Sequence, residues 1–417
     1  MNVLFYLSAL CVSFIVSAAA VTTPHLKPLA VALPENSKQL CQAALKRCNF
    51  TLPIRVLLDE KPVASDFSWQ LTSPHGFIIL DPQDAKKKLF YPQKQITIIS
   101  KSGNISINGK KLLHEQLYIV PCKERISFGP YTYDGALTVH KYQSTVYLVN
   151  HLDLEDYVLS VVPYESWPGW PAEVNKALCV SFRTYGIAKV LEQRAVRAKK
   201  KINLPYDIKN GPIHQVYKGH YTGSKYDFKS IVDATRGIVL AYNNKPITAM
   251  FDICCGGVIP ANKVGMNFKE APYLARTYPC TFCEKYKFYA WKYVYTAKEL
   301  EKLLKPEFPT LVISDVKVTR KDTIGTAQEM ALREKSRWIA ITGKKLKSLV
   351  KNLKSLCFSV TRSRLGYVFE GKGHGHQWGL CQWGACGMVN KGHNYKQVLQ
   401  FYYPHTTFMK LVKAPRS

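Results

Sequence analysis

Between Gly371 and Pro404 the chain reads GKGHGHQWGLCQWGACGMVNKGHNYKQVLQFYYP, with glycine recurring among His, Trp and Gln at short intervals. Neither a helical nor a two-residue hydrophobic period fits that run, so it predicts neither an amphipathic helix nor a half-buried strand. Glycine serves where the backbone takes positive φ or comes close to another group. Gly371, Gly373, Gly375, Gly379 and Gly384 therefore predict a tightly folded, irregular wall, lined by His374, His376, Gln377, Trp378, Gln382 and Trp383. Stacking faces mixed with neutral hydrogen-bonding groups suit a polar, ring-shaped ligand, and sugars are the obvious class.

Charge narrows the partner. The chain carries 58 Lys+Arg against 29 Asp+Glu, a net +29, and such an excess attracts anions at long range: nucleic acid, anionic lipid or acidic polysaccharide. Runs such as Lys86-Lys87-Lys88 and Arg194, Arg197, Lys199, Lys200, Lys201 read as solvated loops. Residues 1–20 have an apolar core and end in small residues, with Ala18 and Ala20 placed for cleavage, which predicts a secretory signal peptide. Without a basic leading segment, an uncleaved membrane anchor is the alternative. Export to a periplasm or cell envelope argues against nucleic acid and leaves acidic polysaccharide.

With 417 residues, 47% of them hydrophobic and 12% aromatic, the chain is globular and long enough for one large core or two domains. Residues 21–53 read as a linker and a short helix at 36–48, where Cys41 and Cys48 fall two turns apart, about 10 Å and beyond disulfide reach. Residues 54–148 form a β-rich lobe of short apolar runs (Ile54–Leu58, Phe77–Leu80, Gln95–Ile98, Ile105–Ile107, Leu117–Val120, Ala136–Val139 and, overlapping the lobe's end, Thr145–Val149), with turn signals at Asn108-Gly109 and Asp134-Gly135. Residues 149–417 form a mixed core. Its best-defined helix, 172–190, is entered by Pro171 and buries Val174, Ala177, Leu178, Ser181, Tyr185 and Ala188. Helical runs (Ala297–Leu304, Lys344–Leu353) then alternate with strands (Val312–Val318, Trp338–Ile341), and the class is α+β.

Two constellations carry chemistry. In V-P-Y-E-S-W-P-G-W-P, Glu165 is the only carboxylate, flanked by Val161, Val162, Pro163, Trp167 and Trp170. An apolar setting raises a carboxyl pKa and suits a proton donor, whereas a lone glutamate in a turn is ordinarily solvated or bound at a helix start. Conventional glycoside hydrolysis needs two carboxylates astride the bond, and here only one acid is convincing. The second constellation is Cys254 and Cys255, then Cys280-x-x-Cys283. This spacing matches a tetrahedral zinc corner, and disulfides are the alternative in an exported protein.

These motifs resemble the SpoIID/LytB family, the stage II sporulation protein D and amidase enhancer group. Its C-terminal signature runs G-x-G-x-G-H-G-V-G-M-S-Q-W-G-A-x-G-M, and this chain keeps Gly371, Gly373, Gly375, His376, Gly379, Gln382, Trp383, Gly384, Ala385, Gly387 and Met388, then Tyr402, Tyr403 and Pro404. It departs at Gln377, Trp378, Leu380 and Cys381, the last standing where the family has Ser. The family's V-V-P-x-E-M-P and W-P-x-E-A-L-K-A-Q-A-V-A-A-R-T-Y match Val161 to Glu165 and Trp170 to Tyr185. The resemblance implies a lytic transglycosylase that cleaves peptide-free peptidoglycan between MurNAc and GlcNAc and leaves 1,6-anhydro ends. Glu165 would be the catalytic acid, while Arg183, Tyr185, His376, Gln382 and Trp383 would bind glycan in a groove formed by the glycine-rich wall. For Arg183 the alternative is a buried ion pair with Glu155 or Asp156. A F-H-x-x-C-G-G motif aligned on Phe251–Gly257 implies a structural zinc on Asp252, Cys255, Cys280 and Cys283, with Cys254 the alternative to Asp252, and no catalytic cofactor. The partners implied are glycan strands and an N-acetylmuramoyl-L-alanine amidase, and the rival reading is a non-catalytic glycan-binding activator of that amidase.

Overall fold

The computed structural model describes residues 50–80, 88–91, 93–111, 115–200, 202, 204–223 and 226–412. The signal segment, the 36–48 helix with Cys41 and Cys48, and Lys86 and Lys87 lie outside them. Helices and several small sheets make the fold α+β. The chain divides into two compact units, Met1–Gly169 with Phe182–Val239 and Met409–Ser417, and Trp170–Ser181 with Leu240–Phe408. The β-rich stretch and the beginning of the predicted core thus share one unit.

In that first unit a seven-stranded sheet runs in the order Ile208–Lys209, Pro53–Pro62, Thr145–Asp153, Ala136–Tyr142, Gln116–Pro121, Phe77–Leu80, Lys88–Tyr91. A six-stranded sheet accompanies it, in the order Tyr131–Tyr133, Ile126–Phe128, Phe67–Thr72, Gln95–Lys101, Asn104–Ile107, Lys110–Lys111. Asn108 and Gly109, both at positive φ, close the last hairpin as their sequence predicts.

The strand Thr145–Asp153 feeds helix α1, Leu154–Glu165, where the Asp153 carboxylate accepts the Glu155 N–H and so caps the helix. Tyr157, Val158, Val161 and Val162 anchor α1 in the core. Glu165 is therefore the last residue of a helix and does not sit in a turn; Pro163 is accommodated inside the final turn. Helix α2, Ala172–Lys200, runs ten residues past the predicted end at 190. Arg194 and Arg197 belong to it, and Arg197 pairs with buried Asp207 at 2.6 Å. That segment, read from sequence as a solvated loop, is built of good helix formers without an apolar stripe. A short helix α3, Phe228–Ala234, follows.

The second unit holds two three-stranded antiparallel sheets, ordered Ala290–Tyr295, Gly366–Lys372, Phe358–Ser363 and Asp315–Lys321, Ala327–Glu334, Arg337–Thr342. Helices α4, Ala297–Leu304, and α5, Gly343–Leu349, pack with them around Leu300, Leu304, Met330, Leu332, Leu346 and Phe369. The glycine-rich wall is more regular than its sequence predicts. Gly371 lies in a strand, Gln382–Val389 is helix α6, and Tyr395–Tyr402 is helix α7. Positive φ falls at Gly373, Gly375, Gln377 and Gly379 between the strand and α6, and at Gly392 between the two helices. Helix α6 shows no stripe because six of its eight residues are buried, so no polar face marks a period.

Candidate functional site

In the first unit the site centres on Glu165. Its position at the C-terminal end of α1 disfavours ionisation, because the helix dipole presents its negative end there. Burial pushes its carboxyl above the ordinary value, opposed by the Val216 N–H, which donates to Oε1 at 2.6 Å. The loop that supplies this N–H holds much of the neighbourhood. Tyr157 donates to Gln215 Oε1 at 2.7 Å, the Tyr185 hydroxyl meets His214 Nδ1 at 2.7 Å, and the Tyr217 N–H reaches Asn210 Oδ1 at 2.9 Å. Tyr185 is largely buried, and burial lifts its hydroxyl to about 12. Exposed Tyr164 packs edge-on to Tyr221 with Lys218 over its ring at 4.9 Å. Sequence reasoning missed this 210–221 loop. The signal was its run of His, Gln and Tyr without an apolar period (His214, Gln215, Tyr217, His220, Tyr221).

The other two carboxylates near the start of α1 do not reach Glu165. Nine or ten residues along a helix correspond to about 14 Å, wider than either glycosidase spacing. Glu155 is also committed. Arg183 is fully buried and its guanidinium forks onto both Glu155 oxygens at 2.9 and 2.7 Å, while also reaching Thr235 and the Val232 and Ile238 carbonyls. The substrate-holding role expected for Arg183 is thus replaced by the ion-pair alternative, with Glu155 as its partner.

The second unit carries the wall. His376 accepts the Trp378 N–H at Nδ1 and stacks on that indole at 6.0 Å; burial, then Lys263, push its pKa down to about 4, so the ring is neutral near neutral pH. Gln382 is buried at the start of α6. Trp383 is half-buried in an aromatic nest with Trp170 (5.2 Å, edge-on), Tyr286 (4.4 Å) and Phe288 (5.7 Å).

Within this unit Cys255, Cys280, Cys283 and Cys381 converge, with all four sulfurs buried and within 4.8 Å of one another. The Cys255–Cys283 and Cys280–Cys283 separations are 3.7 and 3.8 Å. A disulfide requires about 2.05 Å. Tetrahedral thiolates at 2.3 Å from zinc lie about 3.8 Å apart, so the group has the donor set and spacing for zinc. Cys381 takes the place expected for Asp252, whose carboxylate instead accepts the Gln377 N–H at 2.5 Å; Cys254 is outside the group as well. The N–H groups of Cys255 and Gly384 donate to Cys381 Sγ at 3.2 Å at the α6 N-cap, which opposes the burial that pushes its thiol pKa up. Gly384 has to lack a side chain, because a Cβ would meet the Tyr402 hydroxyl and lie 2.8 Å from Cys280 Sγ.

A family model described as stage II sporulation protein matches residues 142–242, which contain Glu165, and one described as a domain of unknown function matches residues 279–379. An uncharacterized protein of Brachyspira hyodysenteriae is 32% identical over 279 residues, 65% of this chain and 70% of its own length. Stage II sporulation protein D of Bacillus subtilis is 26% identical over 284 residues (65% and 78%), and the amidase enhancer of the same organism 26% over 299 residues (59% and 39%). The chain belongs to the SpoIID family.

Proposed function

We propose that this protein is a peptidoglycan lytic transglycosylase acting on glycan strands stripped of their peptides. The coarser reading, a cell-wall-related role, follows from family membership. The observation that carries the finer one is a half-buried carboxyl with a raised pKa at a helix C-terminus, with Asp156, also raised, nine residues back along the same helix and Glu155 engaged with arginine. One acid suffices when no water attacks. Glu165 gives its proton to the glycosidic oxygen as the C1–O4 bond breaks. The resulting carboxylate then takes the proton of the muramic acid C6 hydroxyl, whose oxygen closes onto C1 as the 1,6-anhydro ring. The Val216 N–H can hold the carboxylate in place through both steps. In the first unit Tyr185 with His214 supplies polar surface, and in the second the wall residues His376, Gln382 and Trp383 supply polar and stacking surface suited to sugar.

Zinc belongs to this proposal as a structural ion held by Cys255, Cys280, Cys283 and Cys381, where it would tie three separate stretches of the second unit together. Export is part of it too, since the substrate lies outside the cytoplasm. The second reading, activation of an amidase without catalysis, is supported by the similarity to an amidase enhancer. Incubation with denuded glycan separates the two. Wild type is expected to yield 1,6-anhydro ends by mass spectrometry, with turnover falling as pH rises past the elevated Glu165 pKa, because the acid must begin protonated. Glu165→Gln should keep glycan binding and lose product by at least about a hundredfold. Binding without anhydro product from wild type would leave the activator reading.

A further inference from the structure

An open pocket of about 660 Å³ lies in the second unit where the wall begins, lined by Gly371 and Lys372 but by none of the wall's His, Trp and Gln side chains. Its floor comes from the antiparallel register, which sets Trp291 and Phe358 on either side of Gly371, their rings 6.0 Å apart across the bare glycine. A Cβ at Gly371 would strike the Trp291 indole and stand 2.7 Å from the Cys357 carbonyl, so only glycine lets the indole lie against the strand. Lys321 and Lys372 line the cavity and are exposed. Lys292, a third, is neutralised by Glu370 at 2.7 Å, and Ser359 adds a hydroxyl. The side chains present are therefore a half-buried indole, two cationic groups and a hydrogen-bonding rim.

We propose that this cavity is a second saccharide subsite that takes an acidic sugar, stacking a ring on Trp291 and pairing its carboxylate with Lys321 and Lys372. A simple anion would use the lysines but gain nothing from the indole, and a neutral sugar the reverse. The glycan of the preceding reading bears such carboxylates, yet this subsite does not depend on Glu165 doing chemistry. It would hold a strand on the second unit.

The test is titration calorimetry and tryptophan fluorescence on the full chain carrying Glu165→Gln, so that nothing is cleaved. Denuded glycan fragments with free lactyl carboxylates, neutral chitin oligosaccharides and inorganic phosphate are the three ligands. The Lys321→Glu/Lys372→Glu double variant should bind the acidic fragments at least about fivefold more weakly and the neutral ones unchanged. Lys110→Glu/Lys111→Glu, with the same charge change far along the chain, should lose much less. The fluorescence change on adding acidic fragments should shrink in Trp291→Phe. Equal losses in the two double variants, an unchanged signal in Trp291→Phe, or phosphate binding as tightly as acidic glycan would each overturn the subsite. If lysine-dependent binding persists while wild type makes no anhydro product, the subsite stands and the transglycosylase reading falls.

Discussion

Arg183 shows how a residue can match a family signature and still serve the fold. Fully buried, it spends its donors on Glu155, Thr235 and backbone carbonyls, and Glu155 additionally accepts the Gly237 N–H at 3.0 Å. Removing one member of such a pair strands the other charge, which costs far more than the pair contributes. Arg183→Ala is therefore expected to destabilise the protein by about 3–5 kcal/mol. Arg183→Lys should recover part of this, since it restores the charge without the planar fork. Chemical denaturation of both variants measures the effect, and an Arg183→Ala protein as stable as wild type would contradict the assignment. Sequence left Glu155 and Asp156 as equal candidates because the choice depends on helical phase. Adjacent residues differ by about 100° around α1, and only Glu155 turns inward while Asp156 stays exposed. The raised pKa of Glu165 agrees with the burial expected from its apolar neighbours in sequence. Its Val216 partner, 51 residues away, was not legible there.

Among elements, Phe77–Leu80 and Ala136–Tyr142 were legible because burial along most of their length makes them apolar runs, whereas Phe67–Thr72 and the short strands Ile126–Phe128 and Tyr131–Tyr133 were not read from sequence. Helix α4 was equally plain, with a capping box of Thr296 and Glu299 at its start. The wall failed that reading because burial of six of the eight residues of α6 erases periodicity, and its glycines answer to groups far off in sequence, such as Trp291 at Gly371, Asp252 at Gly375 and Tyr402 at Gly384. The same element makes a sharp prediction about metal. Cys381 caps α6 and completes the cluster, whereas Asp252 and Cys254 stand outside it. Wild type should bind one equivalent of zinc by elemental measurement, and Cys381→Ser should lower that occupancy and the thermal midpoint. Asp252→Asn and Cys254→Ser should keep the full equivalent. Zinc lost from Asp252→Asn but retained in Cys381→Ser would restore the sequence-based ligand set.

For the molecule as a whole, a net charge of +29 sets a long-range attraction that acts before any subsite is engaged. Such attraction is screened over a Debye length of about 10 Å at 0.1 M salt and about 3 Å at 1 M, while contacts inside a pocket are screened far less. Two Lys→Glu changes lower +29 by 4 to +25 wherever they are made, so a purely global effect cannot tell one pair from another. Local recognition can. Raising sodium chloride from about 50 mM to about 0.5 M should slow association with acidic glycan roughly tenfold or more, with a much smaller change in dissociation. Neutral chitin oligosaccharides should associate at a rate nearly independent of salt. Surface-plasmon kinetics on immobilised strands reads both rates. A dissociation rate that climbs with salt as steeply as association falls would mean that charge attraction alone holds the complex, leaving the indole and the wall no part in it.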